Sequence, residues 1–113
     1  MENKELSFTY EGSKYTLAFS RRTVQTLARN GFSPDMVTDP AKASIGVPML
    51  FKGAFMVHHR NIKDDLTDKI WEKIPNKSDF IGKLVEMFVE PINVMLEDPD
   101  EEDEKKVEWE ANF

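Results

Sequence analysis

The 113-residue chain has no cysteine, and it has only five glycines and two histidines. The lack of cysteine excludes a disulfide framework, a thiolate zinc site and a cysteine nucleophile. Because the glycines stand singly, there is no glycine-rich loop that could cradle a phosphate. No apolar run reaches the roughly 18–20 residues that span a bilayer, and MENKELSFTY at the start lacks the pattern of a signal peptide. We therefore expect a small cytoplasmic protein without a membrane partner.

Acidic charge is concentrated at the C-terminus. The formal net charge is −6, from 15 lysines and arginines against 21 aspartates and glutamates. Residues 97–113 hold nine of the acids and only two lysines, so residues 1–96 are close to neutral. Binding to nucleic acid is not expected, because counterion release requires clustered basic residues. The acidic run repels itself and predicts a solvated linker.

Apolar residues that recur at every second position predict a β-hairpin over residues 5–19. They are Leu6, Phe8 and Tyr10, then Tyr15, Leu17 and Phe19. A two-residue turn at Gly12-Ser13 would supply the positive φ that such turns require. In that register Tyr10 lies opposite Tyr15, and Phe8 lies opposite Leu17. The large side chains share one face, which must pack on other elements because two strands alone are marginally stable.

Helical periodicity predicts four or five helices over residues 20–96. Ser20 is expected to cap the first helix and Gly31 to end it. A short helix is expected to follow Ser33-Pro34-Asp35, with residues 41–47 forming a loop or another short helix. The next helices are expected at residues 48–60 and around Leu66, Ile70 and Ile74. Ser78 is expected to cap the last helix, which Pro91 would kink or break. The prediction is an α+β fold, with one domain over residues 1–96 and an acidic linker plus amphipathic tail over 97–113.

Apolar side chains almost surround the helix expected to begin at Pro48. The sequence PMLFKGAFMV places large residues on every face of this apolar belt, Met49–Val57. A helix of this kind either lies in the centre of a core or carries a partner surface. Core packing is the simpler interpretation. An oligomer or client surface is the alternative, since methionine-rich surfaces adapt to varied partners.

No constellation of residues predicts catalysis. His58 and His59 are adjacent, so on a helix they point about 100° apart and do not easily share a metal. Acids alternate at Asp98, Asp100 and Glu102, but the run lacks the glycine that an EF-hand loop needs at its sixth position. The carboxylates at residues 64–72 lie among Lys63, Lys69 and Lys73, as in ordinary surface pairs. Ser20-Arg21-Arg22 could hold an anion at a helix start, but a cap with two solvated arginines is the simpler interpretation. We expect no enzymatic activity and no cofactor.

The tail after the acidic run carries Val107, Trp109 and Phe113. With Ala111 they recur at every second position, which indicates an amphipathic strand with acids on its other face. Either the tail folds back as a third strand on the hairpin edge, or it docks on another protein by strand addition.

Several segments together resemble a known family. They are FTYEGSKYTLAFSRRTV, NGF, LFKGAFMVHHR, IPNKSDFIGKLVEMFVEPI and the closing KKVEWE after an acidic stretch. The chain is thereby similar to small uncharacterised phage and prophage proteins of Gram-positive bacteria, which resemble the tail-assembly chaperones of long-tailed phages. Such chaperones coat the tape-measure protein, recruit tail-tube subunits and commonly come in a short and a frameshifted longer form.

The resemblance implies a non-enzymatic morphogenesis protein of the bacterial host cytoplasm, absent from the mature virion. Its partners would be the tape-measure and tail-tube proteins, and a homo-oligomer stays open. Two alternatives are a structural head–tail or tail component of the virion, and a small acidic anti-host inhibitor that mimics DNA. The residues expected to contact partners are Met49, Phe51, Phe55, Val107, Trp109 and Phe113.

Overall fold

A computed structural model describes residues 4–113, in which a two-stranded hairpin packs on four α-helices. The prediction of an α+β fold with an N-terminal hairpin and four or five helices is confirmed. The elements are β1 Glu5–Tyr10, β2 Ser13–Ala18, α1 Arg21–Arg29, a 3-10 turn Pro34–Val37, α2 Ala43–Gly53, α3 Asp64–Lys73 and α4 Lys77–Met95.

The hairpin turns at Glu11-Gly12, so the predicted register was wrong. Both residues have positive φ, 49° for Glu11 and 82° for Gly12, as a type I′ turn requires. Phe8 therefore lies opposite Tyr15, and Leu6 lies opposite Leu17. The register differs from the predicted one by two residues. Because side chains alternate with period 2, this even shift leaves the same aromatic residues on the face that packs on the helices.

The boundaries of α1 confirm the capping residues expected from the sequence. The Ser20 hydroxyl accepts a hydrogen bond from the Thr23 backbone N–H at 3.2 Å, and the Thr23 hydroxyl accepts one from the Ser20 N–H at 2.8 Å. This reciprocal pair satisfies two donors that the first turn would leave open. Gly31 follows the helix with φ 95°, a conformation that favours glycine.

Helix α2 begins five residues before Pro48 and ends at Gly53, whereas the sequence predicted residues 48–60. Its first turns pack closely on the 3-10 turn, and a Cβ on Gly46 would lie 2.6 Å from the Met36 Cβ. This close contact is tertiary, so local periodicity could not reveal it. After Gly53 the chain forms successive turns over residues 54–58.

Helix α4 begins at Lys77, and Ser78 lies inside it. The expected Ser78 cap was therefore wrong. Asn76 occupies the capping position with φ 50°, a left-handed conformation that asparagine tolerates better than most residues. The helix continues past Pro91 to Met95, so the proline does not break it into two pieces.

The turn after α2 covers the outer edge of β2. The Ala54 carbonyl accepts a hydrogen bond from the Ala18 N–H at 3.0 Å, and His59 Nε2 accepts one from the Thr16 N–H at 3.0 Å. His58 Nε2 lies 2.9 Å from the Glu5 carboxylate on β1. These contacts fasten residues 54–59, called here the clamp turn, to both strands. They also satisfy strand groups that would otherwise stay open at an edge.

Phe55 in the clamp turn is completely buried at the centre of the core. The centroid of its ring lies 5.0 Å from that of Phe51, with the two rings edge-to-face. The Phe55 ring also packs against Tyr15 and Phe8 on the two strands. Edge-to-face packing of this kind adds to the free energy gained from burial alone. The core continues through α1 and α4, where Phe19 and Phe32 both pack on Phe88.

A surface ion pair ties the start of the hairpin to α4. Lys4 Nζ lies 3.3 Å from a Glu86 carboxylate oxygen and 3.6 Å from Glu90. The hydrogen bond to Glu86 raises the pKa of Lys4, and Lys4 in turn lowers the pKa of Glu86. Lys4 and Glu86 are about half exposed, so their pairing orients the two elements more than it stabilises them.

Residues 97–113 contain no helix or strand, and the sheet formed within residues 4–113 has two strands. The hypothesis of a third strand folded back on the hairpin edge is therefore not realised in this structure. No helix within the described range is long and apolar enough to cross a membrane.

Two helical glycines predict opposite effects of the same substitution. Gly46→Ala should lower the free energy of unfolding by about 1–3 kcal/mol, because the new Cβ would overlap Met36. Gly82→Ala should raise it by about 0.5–1 kcal/mol, since nothing lies within 4 Å and alanine favours the helix. Urea unfolding of both variants beside the parent chain measures the pair. Equal effects would contradict the close packing of α2.

The two histidines predict unequal contributions to stability. His59→Ala removes the acceptor of the Thr16 N–H and should lower the free energy of unfolding by about 1–3 kcal/mol. His58→Ala removes only an exposed pairing with Glu5 and should cost less than about 1 kcal/mol. The same urea series compares them. A larger cost for His58 would mean that the clamp turn is held differently.

Candidate protein-binding site

The C-terminal tail exposes the apolar residues that the sequence predicted as partner contacts. The exposed fraction is 83% for Val107 and 84% for Trp109, and Phe113 is fully exposed. Hydrogen bonds of residues 98–113 stay within that segment, for example from the Lys105 N–H to Asp103 at 2.9 Å. Within residues 4–113, none of them reaches the folded body. The tail thus presents a tryptophan, a phenylalanine and a valine to solvent on an acidic linker.

The apolar belt is divided between the core and the surface. Phe51 and Phe55 are 2% and 0% exposed, so a partner that binds the folded chain cannot contact them. Phe51 on α2 packs against Trp71 of α3 and Phe80 of α4, and Phe55 in the clamp turn packs against the two strands. Met49 is half-buried and lines a shallow groove beside α1.

Exposed apolar residues also occur where the sequence had not placed partner contacts. Met56 and Val57 in the clamp turn are 37% and 40% exposed. At the end of α4, Val94, Met95 and Leu96 are exposed as well. The sequence contains a signal for the exposed residues at the end of α4. Apolar residues at 92–96 occupy more of the helix surface than one core-facing stripe requires.

A groove of about 360 Å³ lies between α1 and the clamp turn. Arg22, Thr26 and Arg29 are spaced so that they share one face of α1, and Met56 and Arg60 form the opposite side. A second groove of about 340 Å³ shares Met56 and Arg60 and extends to Met49. We call the first of these the arginine groove.

The arginines of this groove stand without an acidic partner among residues 4–96. No ion pair within 4.0 Å involves Arg22, Arg29 or Arg60 among the residues that the structure describes. The lysines nearby differ, since Lys52 pairs with Asp68 at 3.4 Å. The arginine groove therefore offers several unneutralised guanidinium groups beside a methionine side chain.

The titratable side chains considered for chemistry make structural contacts. Both histidines bind the hairpin through the contacts described above. Asp64 and Asp68 pair with Lys52 across α2 and α3. Between residues 4 and 113, no group of three or more histidine, aspartate or glutamate side chains is placed to hold a metal ion.

Comparison with known proteins gives one informative match. No curated protein and no solved structure matches the chain significantly. The family model described as "Domain of unknown function (DUF5055)" matches residues 1–113, the whole length given. The chain therefore belongs to the DUF5055 family of uncharacterised proteins.

Proposed function

We propose that this protein is a non-enzymatic phage morphogenesis factor, a tail-assembly chaperone that binds tape-measure and tail-tube proteins in the cytoplasm of the bacterial host. The observation that carries the proposal is the tail, in which Val107, Trp109 and Phe113 are exposed on an acidic linker. The similarity of the sequence segments to phage and prophage proteins supplies the biological setting.

A tail of this kind suits transient binding to a long helical client. One tryptophan side chain buries about 150–250 Å² when it enters a pocket, and the valine and phenylalanine add to that area. The tail must lose conformational freedom on binding, which limits affinity and lets the client leave when the tube assembles. The acidic linker keeps the apolar residues in solution until a client arrives.

The folded body supports the tail without needing an active site. Its aromatic residues pack in or against the core around Phe55. The exposed apolar residues at the end of α4 lie just before the linker. This arrangement places Val94, Met95 and Leu96 where a client held by the tail would also meet them. The excess of acidic charge, in contrast, lies in residues 97–113, which form no helix or strand, whereas a DNA mimic requires acids spaced across a folded surface.

Loss of the apolar tail residues should weaken client binding. The variant Val107→Ser, Trp109→Ser, Phe113→Ser is expected to weaken binding to the tape-measure protein of the same genome by about tenfold or more, because aromatic anchors dominate such interfaces. Co-expression, affinity purification and calorimetry of the complex measure the loss.

The matched control is Ile45→Ser, which changes an apolar residue that is 62% exposed on α2 and not part of the tail. It should bind the client like the parent chain. If the parent chain binds no tape-measure protein, the proposed function fails. If parent and tail variant bind equally, the tail is not the docking segment.

Particle composition separates a chaperone from a virion component. Quantitative mass spectrometry should compare the infected-cell lysate with purified phage particles. We expect the protein in the lysate and not in the mature tails. A fixed copy number in the particles would instead identify a structural head–tail or tail protein. Deletion of the gene should leave infected cells without assembled tails.

A further inference from the structure

We infer that the arginine groove receives the C-terminal tail of a second copy of this chain, so that two copies exchange tails in a symmetric dimer. The inference concerns self-association and does not depend on the identity of any client. It joins two features for which residues 4–113 of a single chain supply no partner, the arginine groove and the exposed tail.

Charge complementarity is the first reason. The groove carries Arg22, Arg29 and Arg60 without acidic partners among the described residues. The tail is strongly acidic, and Glu108 and Glu110 flank Trp109 directly. Arginine binds carboxylates through planar, paired hydrogen bonds. A tail in the groove would therefore neutralise charges of both signs that otherwise remain solvated.

The apolar surface of the groove fits the residue between those two glutamates. Met56 is 37% exposed at the groove wall, and the adjoining groove leads to the half-buried Met49. Methionine sulfur packs favourably on aromatic rings, and arginine stacks on indole. Trp109 is thus the side chain in this sequence that matches both components of the groove.

The placement of the tail favours a second copy over the same chain. Trp109 is 84% exposed, and no hydrogen bond joins residues 98–113 to their own body within the described range. Residues 97–104 provide a linker of up to about 26–29 Å when extended, which is long enough to cross to a neighbour. Exchange in both directions produces a closed two-fold pair rather than an open chain.

The surface available for burial is sufficient for a reversible dimer. Trp109 and Phe113 from both copies would bury about 600–1,000 Å² of aromatic surface, at 150–250 Å² for each ring. Stable interfaces bury about 1,200–2,000 Å² when both sides are counted. With the surface of the grooves added, two exchanged tails reach that range.

Sedimentation of the full chain over a concentration series tests the inference. The parent chain should form a dimer whose dissociation constant rises with sodium chloride, because exposed charges are screened. The variant Arg22→Gln, Arg29→Gln, Arg60→Gln should raise that constant by about tenfold or more. The matched control Lys14→Gln, Lys69→Gln, Lys73→Gln removes the same charge from exposed lysines outside the groove and should leave the constant unchanged. Circular dichroism and urea midpoints verify that all variants fold.

Charge reversal in trans gives a sharper test. The groove variant Arg22→Glu, Arg29→Glu, Arg60→Glu and the tail variant Glu108→Lys, Glu110→Lys should each be monomeric alone. Mixed, they should form a heterodimer, because each tail then meets a groove of opposite charge. The tail variant changes only residues outside helices and strands, so its loss of dimer cannot come from unfolding.

Three results would overturn the inference. The parent chain could stay monomeric at all concentrations, or the groove variant could dimerise like the lysine control. A blue-shifted Trp109 emission in dilute monomer, lost in the groove variant, would show that the tail occupies its own groove. A Trp109→Phe variant, measured in parallel, gives the emission of Trp71 alone, and the difference from the parent chain is the emission of Trp109.

Discussion

The position of the clamp turn on the hairpin determines most of this structure. A two-stranded sheet cannot hold itself together in water, and here the Ala54 carbonyl and the His59 ring accept hydrogen bonds from the outer edge of β2. Phe55 lies between these two contacts and is buried against both strands. The same turn presents Met56 at the surface opposite α1, and Arg60 follows directly after it. Core, sheet edge and arginine groove thus depend on one short segment.

Local signals predicted the elements, while contacts between distant residues decided where several of them begin and end. The Ser20 cap and Gly31 were readable because capping is chemistry between near neighbours. The hairpin turn was misplaced by one position, since Gly12 satisfies a turn as either its first or its second residue. The early start of α2 depends on Gly46 fitting against Met36. No local sequence pattern shows that Gly46 and Met36 lie close together in the fold.

The candidate binding residues show the same difference between local signals and contacts between distant residues. The acidic run gives Val107, Trp109 and Phe113 nothing local to pack on, but their period-2 pattern fitted a third strand on the hairpin as well as an exposed docking segment. Phe51 and Phe55 could not be separated from a surface belt, since an all-round apolar helix fits either role until its neighbours are known. The arginine groove was beyond sequence reasoning, because Arg60 joins Arg22 and Arg29 only through the path of the chain after α2.

The covered edge of β2 limits how copies of this protein can associate through their sheets. A hairpin with both edges open can pair with neighbours on either side and grow into a filament without end. Here the chain's own turn occupies the Thr16 and Ala18 N–H groups at the edge of β2, so β1 has the more open edge for another strand. Edge-to-edge pairing would stop at two molecules. Accumulation of the protein to high concentration would therefore not lead to polymerisation through its sheet.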